Sequence, residues 1–280
     1  MNESFRLIDQ SFDFRHPENY QSCIQLSKNT FGICFSKKNS NKIVALQEKS
    51  LSTERLLEWE KLEQEIQKIQ LPYEQNKLFS INSENFCFIP KAIFKEEQIP
   101  QLLALNGSPV KNQHILIDEI EQLELFIGYS INNSLHRNLT KNFQNIRFTH
   151  HLSTLIKGIA SDFSTNEQQL FCHVKNKQLT LVYFNKQGFQ FANQFVIQTA
   201  EDYIYYVLFV CEQLKIQPYN CKLILLGNIV MGKKIHHYSY NYFSKIQFGE
   251  SKNNFNLAPA LTEKPAHLFY TLYKEIVCES

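Results

Sequence analysis

The sequence predicts an α/β protein with mixed sheets, made of two copies of one fold, the first carrying an insertion. Three observations predict it. The order strand, turn, strand, strand, helix occurs twice, about half a chain apart, and both first turns carry Lys-Asn (Lys28-Asn29 and Lys175-Asn176). Each copy then continues through strand–helix units, which need parallel strands beside the antiparallel hairpin. The composition is globular, with 43% hydrophobic and 20% charged residues over 280, enough for two domains of common size.

The first copy opens with SCIQLSKNTFGICF, two strands around Lys28-Asn29, where Asn is expected to tolerate a left-handed turn. NKIVALQEK is a third strand. STERLLEWEKLEQEIQKIQ is a helix, with Ser52 at its cap, an apolar stripe of Leu56, Trp59, Leu62, Ile66 and Ile69, and Pro72 beyond its end. The tail LELFIGYS, NNSLHRNLTKNF, NIRFTH and HLSTLIKGIA alternates strand and helix. Between first helix and tail, about 73–121, lies the expected insertion, with strands KLFSI and FCFIP and a helix after Lys95.

The second copy repeats the plan. QLFCHV, a Lys175-Asn176 turn, QLTLVYF and GFQFANQFVI are strands. TAEDYIYYVLFVCEQLKI is a helix in which Thr199 and Asp202 have capping-box spacing, with Pro218 after it. KLILLGNIV is a fourth strand running into Gly227-Asn228, followed by a helix in MGKKIHHYSYNY and the strand FSKIQF. The domains are expected at 1–162 and 163–280.

Bulk properties exclude several classes. The net charge is +2 and the lysines are scattered, so no basic stripe marks a nucleic-acid binder. Seven cysteines without a Cys-x-x-Cys pair point to buried free thiols in a reducing compartment. The N-terminus MNESFRLIDQSFDF has no apolar block of a signal peptide, and the run YIYYVLFVC is too short for a bilayer. A cytoplasmic protein is the expectation.

Three stretches carry a resemblance: FIPKAIF (Phe88 to Phe94), RFTHHLSTLIKGI (Arg147 to Ile159) and EDYIYYVL (Glu201 to Leu208). By these the chain resembles a Bacteroidetes family, classed as a domain of unknown function, that has the duplicated ribonuclease H-like fold of the actin-like ATPases. The resemblance implies that fold and no activity. In actin-like ATPases an acid and a Gly-rich turn in the first hairpin of each half hold magnesium and phosphates, and a late Gly-rich turn packs against adenosine. Here neither Tyr20 to Phe31 nor Phe163 to Gln187 contains Gly or Asp. Lys28, Asn29, Lys175 and Asn176 therefore read as degenerate phosphate hairpins. Gly227 and Asn228 read either as a strand-end turn without ligand or as a vestigial adenosine turn, with Asn228 standing in for a left-handed Gly.

No catalytic residue, metal ligand or cofactor is expected, although ATP is the ligand such a fold would take. His150-His151 and His236-His237 are adjacent, a poor spacing for chelation on a helix, and read as helix-end or surface residues. Cys172 and His173 on a strand face opposite sides. The helix at 200–216 is apolar nearly all round, so Tyr205 and Phe209 are expected under a second cover, the other half or a partner. The polar stretch 249–264 reads as a loop over a cleft or a mobile arm. The sum is a pseudo-ATPase scaffold or adaptor with a protein partner, monomeric or weakly dimeric. The alternative is an ATP-binding kinase, ATPase or nucleotide-sensing switch, its acids drawn from Asp118, Glu119, Glu121 or Asp162.

Overall fold

The computed structural model describes residues 5–50, 58–69, 77–105, 112–163, 167–251 and 255–278. Contacts divide the chain into two units: Met1–Gly158 with Phe255–Glu263 and Thr271–Ser280, and Ile159–Asn254 with Lys264–Tyr270.

In the first unit β1 (Phe5–Ile8), β2 (Tyr20–Leu26), β3 (Thr30–Lys37) and β4 (Ile43–Ser50) precede α1 (Trp59–Ile69) and β5 (Lys77–Ile81). Next come β6 (Phe86–Pro90), α2 (Ile99–Leu105), β7 (Gln113–Ile120), β8 (Leu125–Asn132), α3 (Asn133–Asn142), β9 (Ile146–His150) and α4 (His151–Asp162). The main sheet has the order β1-β4-β3-β2-β5-β9, with β2, β5 and β9 parallel. In the second unit β10 (Gln169–Lys175), β11 (Gln178–Asn185), β12 (Gly188–Val196), α5 (Ala200–Gln213), β13 (Lys222–Gly227), α6 (Lys234–Tyr242) and β14 (Lys245–Phe248) follow. Their sheet order is β12-β11-β10-β13-β14. Without β1, the two orders are the same: a three-stranded meander whose first strand pairs in parallel with a fourth strand, which pairs in parallel with a fifth. The duplication expected from the repeated pattern is present at the level of topology.

The insertion differs from its expected bounds of 73–121. Lys77–Ile81 pairs with β2 as the fifth strand of the main sheet, while Leu125–Asn132 joins β6 and β7 in a separate sheet of order β6-β8-β7. Both segments are apolar and nearly fully buried, so their composition does not tell them apart. A single helix separates KLFSI from β4, and that short crossover decides the matter. The strand β7 and the last helix, α7 (Tyr270–Cys278), also went unread. The Ser52 cap, Leu56, the Ile69 side chain and Pro72 lie outside the described residues.

Other local expectations hold. Trp59, Leu62 and Ile66 of α1 are buried. Thr199 Oγ1 accepts from Asp202 N at 3.1 Å and Asp202 Oδ2 accepts from Thr199 N at 3.0 Å, a complete capping box on α5. Thr199→Ala should cost about 1 kcal/mol in a urea titration. Residues 255–263 are a docked segment, not a loose arm. Ile43 N donates to Asn256 O at 2.8 Å, Ala258 N donates to Ile43 O at 2.8 Å, and Ala258 and Leu261 are buried. Residues 252–254 lie outside the described residues.

Candidate functional site

Ligands of open α/β sheets bind at the carboxyl ends of parallel strands. In the first unit these ends carry the β2–β3 turn. Ser27 N donates to Thr30 O at 3.0 Å and Thr30 N to Ser27 Oγ at 3.1 Å. Those bonds close the turn with neither Lys28 nor Asn29 in a left-handed conformation, contrary to the role expected of Asn29. The Lys28 ammonium is ion-paired with Glu84, from the β5–β6 connection.

The second hairpin is tighter. Lys175 pairs with Gln178, so the central residues are Asn176 (φ 45°) and Lys177 (φ 63°), one position later than the sequence reading put them. Two positive φ values make a type I′ turn, and Asn176 there has the tolerance expected of it.

Gly227 ends β13 at φ +72°, and a Cβ on it would lie 2.2 Å from Val174 O. Asn228 N donates to that carbonyl at 2.7 Å. The left-handed residue is Gly227 itself; Asn228 has no positive φ and replaces no second glycine conformationally. The glycine is thus required by the close approach of β10 and β13 within one unit.

Three of the four candidate acids are engaged within the fold. Asp118, on β7, accepts from Thr149 Oγ1 (3.1 Å), His150 N (2.6 Å), Tyr129 OH (3.3 Å) and Ser153 Oγ, and so caps the start of α4 from another sheet. Glu119 meets Lys91 at 2.6 Å. Asp162 is buried and accepts from Tyr270 OH at 2.8 Å. Glu121 is exposed at the start of a short 3-10 turn after β7.

Beneath the first hairpin lies a polar cluster that sequence reasoning missed. Gln25 Nε2 lies 3.0 Å from His151 Nδ1, 3.3 Å from Thr271 Oγ1 and 3.4 Å from Glu275 Oε2, while Thr154 Oγ1 donates to Glu275 Oε1 at 3.0 Å. All five residues are buried. The available signal was a polar residue inside each apolar run, Gln25 in SCIQL and Glu275 in YKEIV.

The histidines do other work. His150 ends β9 and His151 opens α4, the helix-end position expected, but both are buried and neither is a surface residue. His150 Nε2 donates to Ser83 O at 2.9 Å and Nδ1 accepts from Leu152 N at 3.2 Å, which consumes both nitrogens. Burial pushes its pKa down to about 4. His236 stacks on Phe248 with centroids 5.6 Å apart. Burial drives His173 to about 3 and raises the Cys172 thiol far above its usual range, so neither ionises near neutrality. Among the described residues no cluster of three or more His, Cys, Asp or Glu could hold a metal, and no helix is long and apolar enough to cross a membrane. The six cysteines with described side chains are free thiols.

Residues 9–246 match the family described as "Protein of unknown function (DUF3822)". The chain belongs to the DUF3822 family. This DUF3822 chain is similar to a Bacteroides thetaiotaomicron protein with an actin-like ATPase fold and unknown function, at 22% identity and TM-score 0.75, over 91% of this chain and 99% of that one. It is also similar to the PilM–PilN type IV pilus biogenesis complex, at 7% identity and TM-score 0.63, over 92% and 98%. No curated protein matches it. The fold of this DUF3822 member is therefore that of the actin-like ATPases.

Proposed function

We propose that this chain is a non-hydrolysing scaffold or adaptor of the cytoplasm, its two units corresponding to two ribonuclease H-like domains, with residues 255–263 and 271–280 returning to the first. The observation that supports it most is the internal use of all three nucleotide turns. Lys28 is committed to Glu84, Asn176 and Lys177 form a glycine-free I′ turn, and Gly227 is packed on Val174. On this reading Lys28, Asn29, Lys175, Asn176, Gly227 and Asn228 are remnants of nucleotide loops. Fold-level likeness to PilM, which occurs in a complex with PilN, favours action through a protein partner. The exposed face of α5 favours it too: Tyr205 is 61% and Phe209 41% exposed, and their rings stack with centroids 6.2 Å apart. Among the described residues both rings are exposed, and the reading assigns them to a partner surface.

A thermal-shift titration tests the reading. The expected result is an unchanged midpoint with millimolar ATP, with or without Mg²⁺. A magnesium-dependent rise that grows with ATP concentration would overturn it, because only a ligand of the native state raises the midpoint in that way.

A further inference from the structure

An open recess of about 770 Å³ lies in the first unit at the amino ends of β2, β5 and β9, the end of the sheet away from the β2–β3 turn. Its lining includes Ser22, Lys38, Lys77, Arg147, Glu18 and Glu275. Lys77 is the unusual member. The residue is only 2% exposed, yet among the described residues its ammonium has a single hydrogen bond, to Ser22 Oγ at 2.8 Å, and no carboxylate partner. An ammonium buried with one neutral partner is costly, and a second cation nearby adds to the cost.

The surrounding charges do not relieve it. Lys38 is exposed on the rim and repels Lys77, and Arg147 is a third cation. The two carboxylates face other groups: Glu275 is taken by Gln25 and Thr154, and Glu18 bonds His16 Nδ1 at 3.1 Å. Burial first, and Lys38 second, lower the Lys77 pKa to about 8, so the ammonium is still mostly charged at neutral pH.

We infer that this recess is an anion site that takes the phosphate group of a small molecule, with Lys77 and Ser22 at its floor and Lys38 and Arg147 at its rim. A phosphate supplies the acceptors that the Lys77 ammonium lacks, and charge-assisted bonds to it are the strong kind. The volume is that of a small-molecule site, and the apolar side chains of Leu78, Ile146 and Ile276 line it for the rest of the ligand. The inference does not depend on the scaffold reading, since the site lies at the opposite end of the main sheet from the β2–β3 turn.

Inorganic phosphate and pyrophosphate are the probes, each against sodium chloride at equal ionic strength. At neutral pH the wild-type midpoint should rise by roughly 3 °C or more for each tenfold excess over the dissociation constant. Lys77→Met should abolish the response and Lys38→Gln reduce it. Without ligand, Lys77→Met should melt higher than wild type at neutral pH. Above pH about 8 the gap closes: the folded pKa lies below the unfolded one, so the native state gains stability as Lys77 loses its proton. Equal responses in wild type and Lys77→Met, a rise matched by chloride, or no rise with either anion would overturn the site. Should Lys77→Met not fold, the exposed Lys38→Gln variant decides it: an undiminished phosphate response there overturns it equally.

Discussion

Replacing Asp118 by Ala should destabilise the protein by about 3 kcal/mol or more. The carboxylate is 8% exposed and receives four donors, including the His150 amide at 2.6 Å at the start of α4. Truncation strands those donors in a site where water does not reach, and each costs about 1–3 kcal/mol. It also removes a negative charge from a helix N-terminus. Asp118→Asn keeps an acceptor oxygen and should cost roughly half as much. Urea denaturation reads both. A catalytic acid would behave in the opposite way, leaving stability intact while abolishing turnover, so variants as stable as wild type would remove Asp118 from the structural account and return it to the enzyme reading.

Much of this architecture is visible in the chain as written, because it rests on local rules. The capping box at Thr199 and Asp202 is set by residues three apart, and the hairpins by alternating apolar runs around short polar turns. The repeated strand order follows from those elements and from handedness of connection, which is why the duplication is readable without an alignment. What escaped has a different physics. KLFSI and LFIGYSIN are equally apolar, and only the question of which strand lies beside β2 separates them. Asp118, Gln25, Glu275 and Lys77 are ordinary polar residues in sequence. Their meaning comes from groups tens to hundreds of positions away, as in Gln25 against Glu275, and no periodicity encodes such a meeting. Tyr205 and Phe209 illustrate the reverse: the surplus of apolar residues on α5 was legible, but their exposure was not.

Gly227→Ala tests the other reading that began as a ligand turn. Two separable costs act there. The left-handed φ of +72° alone costs about 1–2 kcal/mol for a residue with a Cβ. The new methyl would also meet Val174 O at 2.2 Å and Val174 C at 3.0 Å, both backbone atoms paired in the β10–β13 ladder, and overpacking of this kind adds about 1–3 kcal/mol. The expected total is about 3 kcal/mol or more. Gly232→Ala supplies the comparison, since φ is +76° and nothing lies within 4 Å of its Cβ, so only the conformational cost of about 1–2 kcal/mol should appear. The difference between the two variants, read from denaturant midpoints, isolates the close approach of β10 and β13. If the two lose the same stability, the strand-packing account of Gly227 fails and a ligand contact regains its claim on the residue. If Gly227→Ala is the costlier, any activity lost in that variant reports on the fold, and nucleotide binding has to be judged by titrating the intact protein.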